Sequence, residues 1–287
     1  VNDAIYDGVT AYPTGTGSSS TYKPMSLAQS GMADYYEGMV YNYNGTLSYR
    51  NSSNTGVGKS SYREPSLVTN NANDGYTWNV GDIIGIIYDG AEENYKTTLG
   101  FNSPSEYGKY LASSYNNMVT AVDTYGGFYV GRYETTMTGS SDNIVVGSKA
   151  NGKVLSENNW YKMNLYQDST RYASNPYNTK TSVATSMIWG SQWDTMLNYI
   201  LTGNDKGKVT TKVGNRTNSV HNSGQDSTDK INNIYDLGAN VYEWTGEANA
   251  TNYRVYRGGS YDTTNSSTAS TRGNIVPTDQ GPAFGSR

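Results

Sequence analysis

Asn-Ile-Tyr-Asp-Leu-Gly-Ala-Asn-Val-Tyr-Glu-Trp-Thr, residues 233–245, forms a compact apolar and acidic block. Residues 254–261 follow it as Arg-Val-Tyr-Arg-Gly-Gly-Ser-Tyr. Beyond Tyr261 the character changes. Residues 262–286 are mostly Thr, Ser, Asn, Gly, Asp and Pro, with Ala269, Ala283, Arg272 and Gln280 and the larger apolar residues Ile275, Val276 and Phe284. A tightly specified scaffold element therefore runs straight into a polar stretch of small residues. Gly258 and Gly259 mark the junction, where a backbone free of Cβ atoms can take a tight path.

Upstream of this block the chain alternates loops with a few clear elements. Ser103-Pro-Ser-Glu reads as a helix start, with Pro at the first position and Glu shortly after. Tyr107, Tyr110, Leu111, Met118, Val119 and Val122 recur at helical spacing and predict a helix over about 104–122, ended by Gly126-Gly127. Residues 128–135, Phe-Tyr-Val-Gly-Arg-Tyr-Glu-Thr, read as a strand. A weaker helical pattern begins at Trp160 and Met163 and runs toward Ala173, with Asn175-Pro176 as its stop. Ser191 is placed to cap a helix in which Trp193, Met196, Leu197, Ile200 and Leu201 are spaced i, i+3, i+4, i+7, i+8, ending at Gly203. Residues 204–230 are a polar loop without periodicity, long enough to imply a surface excursion or a function. Nearer the start, residues 82–88 form an apolar run of strand length. Residues 41–49 read as two short strands around Asn44-Gly45. Residues 1–60 are turn-rich and polar, and read either as a small β-rich extension suited to attachment or assembly or as an irregular arm packed on the main domain.

Composition narrows the function classes. The chain has 287 residues, 28 Tyr against 3 Phe, 32 Gly, 16% charged residues and a net charge of −4. Tyrosine supplies apolar area with a hydroxyl that tolerates water, which suits a large wet surface. No Lys/Arg cluster is present, which argues against a nucleic-acid partner. No apolar run approaches membrane-spanning length. The absence of cysteine excludes disulfides and thiolate chemistry.

Three quoted stretches resemble one family. The order NIYDLGANVYEWT, RVYRGGSY, STR and FGSR is similar to the C-terminal half of the formylglycine-generating-enzyme, or sulfatase-modifying-factor, family. GGFYVGRYETT (126–136) resembles its early strand, and SMIWGSQWDTMLNYIL (186–201) stands where that family has a helix. The resemblance covers residues 100–287 and leaves residues 1–60 uncovered. It implies an α+β, C-type-lectin-like fold with long irregular loops, in a domain over 61–287 behind the small β-rich extension of 1–60. The same scaffold serves the variable proteins of diversity-generating retroelements, whose hypervariable stretch follows the RGGS element.

The family's enzymes act through copper held by cysteine thiolates or iron held by three histidines. This chain has no cysteine and one histidine, His221, so neither centre can be built. His221 lies in a polar loop, where exposure is the plain expectation, and no nucleophile elbow surrounds any serine. Asp34, Glu37, Glu134 and Glu157 are carboxylates without a local signature. No catalytic residue or catalytic cofactor is expected. Asp236 and Glu243, with the carbonyls of Ala239 and Val241, match a calcium-ligating set in the family, which implies a structural Ca²⁺. The alternative has Asp236 bonding turn amides and Glu243 paired with an arginine such as Arg257.

Composition is consistent with diversification of residues 260–286. Randomising the adenines of Asn codons reaches Asn, Tyr, Asp, Ser, Thr, Gly and several others, but not Lys, Glu, Met, Trp or Gln. The stretch contains no Lys, Glu, Met or Trp, and a single departure, Gln280. Solvated loops ordinarily carry Lys and Glu. The candidate ligand contacts are Tyr261, Asp262, Thr264, Asn265, Ser267, Asn274, Ile275, Val276, Thr278, Asp279 and Phe284. Arg257 and Arg272 are assigned to the scaffold. The implied function is non-enzymatic binding of a protein or glycan on a cell surface, by an extracellular protein of a virion or bacterial envelope. Oligomerisation through the N-terminal extension is compatible with this. A fixed-specificity carbohydrate-binding lectin and a divergent enzyme of the family are the alternatives.

Overall fold

Pro104 opens the longest helix because its missing N–H is not needed in a first turn. In the computed structural model this helix, α1, spans Pro104–Tyr125. Tyr107, Leu111 and Val122 are buried on its inner face. Gly126 then adopts φ +77° and donates its amide to Val122 O at 2.8 Å, a left-handed stop that a residue with Cβ would resist. The structure describes residues 39–41, 47–49, 62–63, 70–71, 76–77, 99–102, 104–140, 143–201, 203–211, 214–249, 253–262, 264 and 267–287. The predicted strand at 82–88 lies outside these residues, as do Asp34, Glu37 and the proposed boundary at residue 60.

The elements are mixed α and β, and the chain divides into two compact units. The first comprises Val1–Tyr129, Trp189–Asn198 and Glu247–Tyr253. It holds the antiparallel pair β1 (Met39–Tyr41) and β2 (Leu47–Tyr49), in register Tyr41↔Leu47 across the Asn44-Gly45 segment. It also holds β3 (Tyr62–Arg63), β4 (Asn70–Asn71), β5 (Tyr76–Thr77) and α1. Phe101 packs its ring 4.9 Å from Tyr107 and 5.2 Å from Tyr110.

The second unit comprises Val130–Ile188, Tyr199–Gly246 and Arg254–Arg287. Its strands are β6 (Thr136–Thr138), β7 (Val145–Gly147), most of β8 (Tyr242–Asn249) and β9 (Tyr253–Arg257), β10 (Arg272–Ile275) and β11 (Phe284–Gly285). The sheet order is β10-β9-β8-β11, with β11 parallel to β8 through Phe284↔Tyr242 and Gly285↔Glu243. Phe284 stacks on Trp244 at 4.9 Å and lies 5.3 Å from Tyr256, closing an aromatic cluster. It is a core residue, not a ligand contact: an isolated apolar residue after a polar stretch is here the chain returning to the sheet.

Helix α2 (Trp160–Gln167) is capped by Asn159, whose side chain accepts from the Lys162 amide. Trp160, Tyr161, Met163, Asn164 and Gln167 are all buried. Burial on most sides explains its weak amphipathic signal; the helix ends at Gln167 rather than near Ala173 because Asp168 turns extended and its Oδ1 accepts from the Thr170 amide and hydroxyl. Helix α3 (Gly190–Leu201) buries Trp193, Met196, Leu197 and Ile200, as the spacing predicts. Ser191 falls inside it, and the first-turn amide of Trp189 is instead met by Gln192 Oε1 at 3.0 Å.

Residues 128–135 are not a strand. Their polar groups go to separate partners: Glu134 N to Ser223 Oγ at 2.9 Å and Thr135 N to Ser286 O at 2.8 Å. That leaves no ladder for a neighbouring strand to continue.

Trp244→Ala, which empties the largest member of the aromatic cluster, should destabilise the protein by about 3–5 kcal/mol. Phe284→Ala should act in the same sense, whereas Thr264→Ala should shift the urea midpoint hardly at all.

Candidate functional site

Two arrangements in the second unit bear on function: a buried acidic network under the 233–245 block, and the surface segment that follows Gly259.

The network begins at Asn240, in the left-handed region at φ 56°, which Asn tolerates. Its Nδ2 donates to Glu134 Oε2 at 2.6 Å and to the His221 carbonyl at 3.2 Å, while its Oδ1 accepts from the His221 amide at 3.0 Å. Val241 N donates to Glu134 Oε1 at 3.2 Å. Glu134 is thus fully buried and doubly bonded. Burial, then the charges of Asp236 and Glu243, hold its pKa well above the ordinary value despite Arg287 and Asn240.

Glu243 gives both carboxylate oxygens to Arg287, at 2.6–3.0 Å. Arg287 spends its remaining donors on the carbonyls of Gly131 and Tyr235, at 2.9 and 2.6 Å. Asp236 turns Oδ2 toward Ser223 Oγ at 2.6 Å and Gly224 N at 2.8 Å. The two carboxylates expected to share calcium with the Ala239 and Val241 carbonyls therefore have different partners. Glu243 is thus held by Arg287 and Asp236 by Ser223 and Gly224, the pairing that the alternative reading of this block describes. The arginine partner is Arg287 rather than Arg257.

The 204–230 loop is a larger correction. It folds inward through two 3-10 turns, Lys206–Thr210 and Ser227–Asp229. It delivers buried Val209, Ser223 and Asp229. His221, expected to be exposed, has a side chain only 15% exposed, with Nε2 at 3.3 Å from Asp229 Oδ2. Sequence polarity could not distinguish a loop that covers buried acids from one that faces water. The clue was its length, together with the chain's one histidine.

The surface segment is held in an unusual way. Arg216 Nη1 donates to the Ser260 carbonyl, and Nη2 to the carbonyls of Gly238 and Ser267, the last at 2.9 Å. Tyr261 N donates to Asn240 O at 2.7 Å, and Asn218 N reaches Tyr261 O. Gly259 approaches so closely that a Cβ would lie 2.1 Å from the Gly238 oxygen, and Gly258 has φ +82°. The tight path read from the sequence is therefore required here.

Among the expected contacts, Tyr261, Asp262, Ser267, Asn274, Ile275, Thr278 and Asp279 are half-buried, while Thr264 and Val276 are exposed. Asp262 Oδ1 accepts from the Thr264 amide and hydroxyl at 2.8 and 2.7 Å, so these two form a local turn. Asp279 Oδ1 caps the Gly281 amide, and Ser267 Oγ meets the Tyr242 hydroxyl at 3.1 Å. Asn265 lies outside the described residues. Arg257 and Arg272 are buried, as a scaffold role requires.

In comparisons with known proteins, no protein-family model matches the chain and no curated protein does either. Among the described residues, no helix is long and apolar enough to cross a membrane.

Arg287→Met would leave Glu243 charged and unpaired in the interior, and should cost about 3–5 kcal/mol. Adding Glu243→Met should recover much of that loss in urea titrations. Burial dominates the titration of Glu134. Its folded pKa is raised above the ordinary 4.5, so the folded state binds the proton more tightly and its contribution to stability falls as pH rises above about 4.5. Glu134→Gln keeps a neutral acceptor, so its stability relative to the parent should improve steadily from pH 4.5 upward.

Proposed function

We propose that the protein is a non-enzymatic recognition protein that presents residues 260–286 as a diversifiable ligand-facing surface on a C-type-lectin-like frame. The observation that carries this reading is the way Arg216 and Asn240 secure the segment. Their hydrogen bonds to residues 260, 261 and 267 go to main-chain carbonyls and an amide, with the Asp262 carboxylate adding an electrostatic contribution to Arg216. Main-chain atoms are present whatever residue occupies a position, so side chains there can change while the path persists. That is the requirement of a paratope: a rigid base carrying variable polar and aromatic groups. The ligand class that suits half-buried Tyr261 beside Ser, Thr and Asn is a protein or glycan on a cell surface. The setting proposed is extracellular, on a virion or bacterial envelope, with assembly through the N-terminal extension.

Resemblance of the Asn233–Thr245 and Arg254–Tyr261 blocks to the variable proteins supports the same reading. A template repeat beside the gene that differs only at adenines would separate it from a lectin of fixed specificity.

The joint variant Tyr261→Ala, Thr264→Ala, Val276→Ala should weaken binding to host cells or to its glycan or protein target by about tenfold or more, equivalent to about 1.4 kcal/mol. Its melting temperature should stay close to that of the parent, as is usual for surface substitutions. Arg216→Ala should loosen the segment and weaken binding without touching ligand. Undiminished binding by the triple variant, or chemical turnover of the bound target, would remove the reading.

A further inference from the structure

His221, Asp229 and Asp236 converge within the second unit, with one potential donor atom from each lying within 4.8 Å of the others. We infer that these three side chains form a binding site for a divalent transition-metal cation, with Zn²⁺ as the best-fitting ion.

The geometry is that of ligands rather than of hydrogen-bond partners. His221 Nε2 lies 3.3 Å from Asp229 Oδ2 and 3.8 Å from Asp236 Oδ1, yet donates a hydrogen bond to neither. Zinc bonds of about 2.0–2.1 Å in a tetrahedron set neighbouring ligand atoms about 3.4 Å apart. Both oxygens of Asp229 are buried without any hydrogen bond, as is Asp236 Oδ1. Asp229 itself is wholly buried. A desolvated carboxylate without donors is costly unless a cation or proton meets it. Of the arginines that act on these acids, Arg287 is committed to Glu243, and Arg216, whose charge acts on Asp229, gives its guanidinium to the carbonyls of Ser260, Gly238 and Ser267.

Each donor is held from behind, as metal ligands usually are. Asn240 fixes the His221 backbone through two hydrogen bonds. Ser223 and Gly224 hold Asp236 Oδ2, leaving Oδ1 turned toward the imidazole. Asp229 enters from the Ser227–Asp229 turn, and its carbonyl accepts from the Asp236 amide at 3.1 Å. Space for it exists because residue 214 is glycine: a Cβ there would lie 1.7 Å from Asp229 Oδ1.

The donor set selects the ion class. An imidazole nitrogen with two carboxylates suits Zn²⁺ and, with lower affinity, Mn²⁺, whereas Ca²⁺ takes oxygen ligands alone. The partial exposure of the imidazole offers a route of entry. A bound cation would join the 204–230 loop to the turn at Asp236, just before the Asn240 whose carbonyl holds Tyr261.

The single histidine makes the test direct. Zn²⁺ is titrated into the full chain after chelator treatment at neutral pH, and the imidazole ¹⁵N resonances are followed. Since His221 is the only source of that signal, one equivalent of Zn²⁺ should shift it to completion. Calorimetry should give one ion per chain, and the melting temperature should rise through selective binding to the folded state. Asp229→Asn and His221→Gln should each lower Zn²⁺ affinity by about 100-fold or more, beyond the effect typical of outer-sphere changes. Glu157→Gln, at an exposed site, should not change it. An imidazole signal indifferent to excess Zn²⁺ would overturn the proposal and leave a shared proton between the two aspartates. So would Ca²⁺ binding that survives His221→Gln while Zn²⁺ gives no heat. If either variant fails to fold, the resonance shift in the unaltered chain still decides.

Discussion

The pair between Glu243 and Arg287 is the constraint on which the second unit depends. Two opposite charges lie in the interior with each guanidinium nitrogen hydrogen-bonded: to Glu243 on β8, the carbonyl of Gly131 and the carbonyl of Tyr235. Burial alone would raise the Glu243 pKa, and it does so even against the opposing pull of Arg287. A buried ion pair is seldom a large net source of stability, because desolvation offsets its attraction. Its value here is one of position. The register of β11 against β8 that brings Arg287 to these partners also sets Phe284 on Trp244 and the Ser286 carbonyl on the Thr135 amide.

From that fixed end a second polar layer extends through Asn240. Its side-chain amide links Glu134 to both main-chain groups of His221, while the Asn240 main-chain carbonyl accepts from the Tyr261 amide. Side-chain chemistry is therefore concentrated below the 233–245 block, where every group is specified. The segment that follows is anchored through main-chain atoms. The division separates the residues that must be kept from those that are free to change.

Legibility followed the same division. Helix α1 was readable because Pro104, the buried spacing of Tyr107 and Leu111, and Gly126 all act locally. Helix α3 was readable for the same reason, apart from its first residue. Helix α2 was faint because a helix buried on most sides has no polar face to set its period. The 128–135 stretch misled because its aromatic and β-branched residues fit a strand while its amides bond to Ser223 and Ser286, far along the chain. The fold class as α+β was legible. In the candidate site, the tight path at Gly258 and Gly259 was legible, whereas Phe284, read as a ligand contact, lies in the core against Trp244. The partners Arg287, Arg216, His221 and Asp229 were not readable, because sequence polarity reports what a residue is and not what covers it.

The burial of His221 also bears on how variation could be tolerated. If the exposed segment supplied its own rigidity, each substitution would be filtered by its effect on folding as well as on binding. Here the frame under the segment contains the ion pair, the Asn240 bridge and the His221–Asp229–Asp236 cluster, all of them outside residues 260–286. Stability changes at neighbouring sites couple, whereas those without shared partners add. A frame whose polar partners lie almost wholly within itself decouples the two requirements. The weak points that remain are the half-buried positions with side-chain bonds into the frame, such as Ser267 on Tyr242, and it is there that substitution should carry a folding cost that Thr264 and Val276 escape.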